Sequence, residues 1–131
     1  MRKLLLALLL LATPAWAQQS IYVPATTAQV SVTGTVAAAT KIVSGVIGKS
    51  IYVTAVNLIP VATSVVTFTT GTGTNCGTGT ASVTGALTFT AGQTLNLGSG
   101  FGAVWVLPAG NDLCVTIATA AAPGSLAYSL F

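Results

Sequence analysis

The chain of 131 residues has four basic side chains, one acidic one and no histidine, so only 4% of it is charged while 53% is hydrophobic. That inventory excludes the clustered Lys/Arg face that tracks a nucleic-acid backbone. It also excludes paired carboxylates and histidine-based acid–base chemistry within one subunit.

Arg2 and Lys3 precede an apolar run from Leu4 to Ala12, and Ala15-Trp16-Ala17 has the A-x-A form of a cleavage site. Residues 1–17 are therefore expected to be a secretory signal peptide. A membrane anchor needs roughly 20 apolar residues, whereas this run is broken by Thr13 and Pro14 and followed by Gln18, Gln19 and Ser20. No stable membrane insertion is expected after cleavage. The exported product would keep only Lys41, Lys49 and Asp112 as charges, far below the roughly 25–35% usual on a soluble surface. Uncharged faces lose little on desolvation, so packing into a homo-oligomer or a larger protein assembly is expected.

Residues 18–29 read as an N-terminal arm ahead of a single domain of residues 30–131. The arm holds Ile21-Tyr22-Val23-Pro24, an extended run suited to adding a strand to a neighbouring sheet. Pro24 restricts it to an edge.

From there on, β-branched residues alternate with small or polar ones over short runs, which predicts strands rather than helices. The runs are 28–36, 42–46, 50–59, 64–70, 78–83, 87–90, 94–97, 103–107, 113–119 and 125–130. Turn residues fall between them, as in Pro108-Ala-Gly110-Asn111-Asp112, where Asp112 is expected to bond nearby backbone N–H groups. Short strands at this spacing predict an all-β, antiparallel β-sandwich of jelly-roll type. Within it, Val66 and Phe68 should face inward and Val65, Thr67 and Thr69 outward. Residues 51–59 are apolar on both faces, which predicts a central strand or one covered by a neighbouring subunit. Trp105 lies in an apolar run and is expected in the core.

The stretch from Thr69 to Thr80, TTGTGTNCGTGT, has the composition of a spacer but contains Cys76, and the only other cysteine is Cys114. An even count in an exported chain predicts a Cys76–Cys114 disulfide. A spacer has no use for a cross-link, whereas a glycine-rich connection with mobile backbone gains from one. The threonines do not recur at a solenoid period, which removes an ice-binding ladder. Gly45-Val-Ile-Gly48-Lys49-Ser50 ends like a phosphate-binding loop but has two residues between its glycines instead of four, and a strand follows. Lys49 is expected to be a solvated turn residue.

No catalytic residue, metal site or cofactor is expected. The aromatic side chains Trp105, Tyr52 and Tyr128, together with Tyr22 in the arm, are the candidates for stacking against a sugar.

The stretch from about Ser50 to Phe131 resembles small β-rich structural proteins of tailed phages and prophages. The matching segments are Gly48-Lys49-Ser50-Ile51-Tyr52-Val53, Val66-Thr67-Phe68, the Thr-Gly-Thr-Asn75-Cys76 loop, Thr84-Gly85-Ala86-Leu87, Pro108-Ala-Gly110-Asn111 with Leu113-Cys114, and Gly124-Ser-Leu-Ala127-Tyr128. The resemblance implies a virion-surface role, as a head decoration or tail-associated protein. Two other classes stay open on the residues themselves: an exported bacterial surface or matrix subunit assembling through β-strand contacts, and a small glycan-binding module.

Overall fold

The computed structural model describes residues 28–33, 37–98 and 102–131. The expected signal peptide and arm residues 18–27, Tyr22 included, lie outside them. Ten strands follow in order: β1 (Ala28–Val32), β2 (Ala39–Val43), β3 (Ile51–Leu58), β4 (Ser64–Thr72), β5 (Thr78–Ser82), β6 (Leu87–Phe89), β7 (Leu95–Leu97), β8 (Trp105–Val106), β9 (Asp112–Ala118) and β10 (Gly124–Leu130). The chain is all-β over these residues, in two antiparallel sheets. β1 already starts at Ala28, so the last two residues assigned to the arm belong to the sheet. β2 starts three residues before the run read from the sequence, and Val46 instead makes an isolated bridge with Lys49.

The first sheet has the order β1-β10-β3-β7, with β8 also on β3; the second has β2-β9-β4-β5, with β6 also on β4. One edge of each sheet is thus built from two short strands in succession, and the other is β1 or β2. Counting each such pair as one strand leaves eight, and they pair from the outside inward along the sequence: β1 with β10, β2 with β9, β3 with β7 and β8, β4 with β5 and β6. This is one long antiparallel ribbon, rolled so that β10 meets β3 and β9 meets β4.

The tip of the ribbon is the threonine- and glycine-rich stretch. It closes in a 3-10 turn, Thr74–Cys76, where the Gly77 N–H donates to the Thr74 carbonyl at 3.0 Å and both Asn75 (φ 49°) and Cys76 (φ 59°) take left-handed backbone. Two central residues at positive φ suit the twist of a hairpin, and asparagine accepts that geometry readily.

Alternation places the core. In β4, Val66 and Phe68 are buried and Val65, Thr67 and Thr69 face outward, half-buried, as the period-2 pattern predicts. β3 is central, between β10 on one side and β7 with β8 on the other, yet its apolar character on both faces has another cause. The register with β10 skips one residue: Ala127 faces Ala55 and Tyr128 faces Val53, leaving Thr54 as a bulge. One extra residue changes the phase of the strand, so Ile51 and Val53 before it and Val56 and Leu58 after it all enter one core. Between the sheets Phe68 meets Trp105 with ring centroids 4.9 Å apart, which closes the core toward the β8 edge.

Candidate functional site

The outer face of the second sheet is organised by Asp112 and the cross-link. On β9 the side chains of Leu113, Val115 and Ile117 enter the core, so those of Asp112, Cys114 and Thr116 point away from it. Asp112 and Cys114 are nevertheless buried, because the ribbon tip folds over them. Cys76 in that tip is bonded to Cys114, and the side chain of Asn75 accepts the Lys41 N–H at 3.3 Å. A disulfide is compatible with an exported protein.

Asp112 departs from its expected local role. One carboxylate oxygen accepts the N–H of Gly45 at 2.7 Å and the other takes the Lys41 ammonium at 3.2 Å, 67 and 71 residues away in sequence. The side chain ties the β2–β3 turn to β9 instead of shaping its own turn. Lys49 is exposed in the Val46-to-Lys49 turn, closed by a 2.9 Å bond from its N–H to the Val46 carbonyl, and β3 follows.

The three described aromatic candidates do not share a surface. Val53 is paired with Trp105 on one side and Tyr128 on the other, so these three side chains point the same way, into the core layer. Tyr52, one residue along, points to the opposite face, where its ring meets that of Phe131 edge-on at 6.1 Å. Beside Trp105, where β5 and β8 flank the gap between the sheets, lies a cleft of 360 Å³ lined by Thr70, Ser82, Val83, Trp105, Leu107 and Pro108. Its walls are apolar and hydroxyl groups, with no side chain that titrates near neutral pH.

Two surface features were not singled out as functional in the sequence. The first is the middle of the outer face of the second sheet, half-buried on β4 and β9, where the register aligns Val65 with Ala118 and Thr88, and Thr67 with Thr116. Small uncharged side chains occupy all of it; Lys41 and Asp112, paired with each other, sit at one corner. The second is the end of the sandwich formed by the β2–β3 turn, the β8–β9 turn and Phe131. There Val46, Ile47 and Phe131 are exposed, Ile47 at 96% and Phe131 at 50%. Turn residues have no face for alternation to mark, and alternation sets Val65 and Thr67 outward without distinguishing their hydroxyl face from any other.

Among the described residues no group of three or more His, Cys, Asp or Glu could hold a metal ion, and no helix is long and apolar enough to cross a membrane. No protein-family model, curated protein or solved structure matches the chain.

Proposed function

We propose that the protein is a non-catalytic structural subunit of a larger protein assembly, built on a jelly roll and acting outside the reducing cytoplasm. The observation that carries the assembly role is the outer face of the second sheet. Thr67, Thr116, Val65 and Ala118 form a half-buried patch without charge, and such a patch loses little when water leaves it, whereas a charged one loses a great deal. The jelly-roll reading rests on the outside-in pairing, since eight strands wound as a rolled ribbon generate two Greek keys. That fold serves many functions, so the role is argued from the surface.

A virion surface is the assembly to test first, because of the resemblance to small phage structural proteins. The second reading, an exported bacterial surface or matrix subunit, is favoured by the Cys76–Cys114 bond, which persists only where thiols are oxidised. Mass spectrometry of purified virions and of culture supernatant separates the two. Light scattering on the purified protein tests the shared claim. An oligomer is expected, and Thr67→Lys with Thr116→Lys should dissociate it without unfolding; a stable monomer at high concentration overturns the proposal.

A further inference from the structure

We infer that the cleft beside Trp105 binds one uncharged pyranose ring of a sugar or glycan. The first observation is how its two rims are built. β5 and β8 are edge strands, one from each sheet, and among the described residues no strand pairs beyond either. In an antiparallel ladder successive residues direct their N–H and C=O groups alternately toward the partner strand and away from it. The Val83 N–H donates to the Phe68 carbonyl and the Leu107 N–H to the Ile51 carbonyl, both at 2.9 Å. The main-chain groups of Ser82 and Val106, one residue earlier in each case, therefore point to the open edges. Both residues line the cleft, although their side chains, paired with those of Thr69 and Tyr52, stand on the outer faces. Main-chain donors and acceptors thus rim the cleft on two sides.

The second observation is the floor between those rims. Trp105, Val83 and Leu107 line the cleft with side chains that belong to the core layer. The Trp105 ring packs against Phe68 and is only half-buried, so part of it is open to the cleft. An apolar floor inside a polar rim matches a pyranose ring, whose C–H groups form its faces and whose hydroxyls project around its edge.

Size, charge and edge length select this class of occupant. The cleft holds 360 Å³, near the lower limit of about 300–1,000 Å³ for ligand sites, and none of the residues lining it is charged. A charged ligand would give up its water there without gaining a counter-ion. An extended peptide would need a longer edge. β8 has two residues, and β5 is interrupted by the register shift between Thr70 and Thr72, with Gly79 at φ 61°; short and bulged edges of this kind resist strand addition. This inference does not depend on the assembly role, which uses the outer face of the second sheet.

Trp16→Phe leaves Trp105 as the only tryptophan, so the fluorescence of that variant reports the cleft directly. Titration with the methyl glycosides and neutral trisaccharides of glucose, galactose, mannose and N-acetylglucosamine should give a saturable change in emission with at least one of them, at a dissociation constant on the order of 1 mM. In the same protein the amide resonances of Ser82 and Val106 and the indole N–H of Trp105 should shift, while the amides of Thr67 and Thr116 on the outer face stay in place. Glucuronate, which adds a carboxylate to the glucose ring, should bind roughly tenfold more weakly than glucose or worse. Ala81→Leu, at an exposed position whose side chain shares the inward face of Thr70, should weaken binding by roughly tenfold or more with circular dichroism unchanged. If that variant misfolds, the resonance shifts of the Trp16→Phe protein decide the matter alone. No response to any of these sugars, shifts confined to residues outside the cleft, or equal binding of glucuronate would overturn the inference. So would emission that changes with protein concentration alone, because a second copy would then fill the cleft.

Discussion

The carboxylate of Asp112 accepts the backbone N–H of Gly45 at 2.7 Å and so fastens the β2–β3 turn to the first residue of β9. The bond is short and charge-assisted, and the acid is largely buried, so it contributes more than the partly exposed Lys41 pairing beside it.

Asp112→Ala should lower the unfolding free energy by about 1.5–3 kcal/mol, since the Gly45 donor loses a charged acceptor. Asp112→Asn keeps an acceptor and should cost less. Lys41→Gln should cost under about 1 kcal/mol, the usual worth of a half-exposed ion pair. Urea denaturation of the three variants checks this order, and an equal loss for all three would contradict it.

The Thr54 bulge makes an unusual prediction about deletions. Without Thr54 the residues from Ile51 to Leu58 alternate strictly, and every buried side chain of β3 keeps its face and its partner on β10. Deleting Thr54 therefore costs the bond from its hydroxyl to the Ala127 carbonyl, about 1 kcal/mol, and the local change toward β8. Deleting Tyr52 turns Ile51 outward or draws Ser50 into its place, which adds about 1.5–3 kcal/mol. Melting curves should rank the Thr54 deletion as the milder one.

The Cys76–Cys114 bond spans 38 residues. A loop of that length is worth about 4 kcal/mol by loss of freedom in the unfolded chain, so Cys76→Ala with Cys114→Ala should bring a large drop in stability. Both sulfurs belong to buried residues. Thiol labelling after mild reductant should therefore be slow on the folded protein and fast in denaturant.

Thr69 faces Cys114 and Ser82 across its two neighbouring strands, and its hydroxyl oxygen is buried with no hydrogen-bond partner among the described residues. Valine has the same branched shape without the polar atom. Thr69→Val should stabilise the fold by about 1 kcal/mol, because an unsatisfied buried group is removed; a destabilised variant in thermal unfolding would show that the hydroxyl is used.

Gly124 and Gly85 provide a paired test of backbone packing. A Cβ on Gly124 would press into the Asn57 carbonyl oxygen and lie 2.8 Å from Leu58 Cδ2, whereas one on Gly85 meets nothing within 4 Å. Gly124→Ala should cost about 1–3 kcal/mol through overpacking. Gly85→Ala should be neutral or stabilise by up to about 1 kcal/mol by restricting the unfolded chain. Comparison of denaturation midpoints reads both.

What the sequence determined by itself was local or compositional. Period-2 alternation located ten strands and set Val66 and Phe68 inward, because successive side chains of a strand point to opposite sides whatever its partner. Two cysteines leave one pairing within a chain. Tertiary structure decided the rest. The phase change at Thr54 exists only against β10, and the partners of Asp112 come from the β2–β3 turn and from β2, 67 and 71 residues away. The opposite orientations of Tyr52 and Trp105 follow from which strands are neighbours. Pairing between distant strands depends on closing long loops around a shared core, and no short window of residues carries that information.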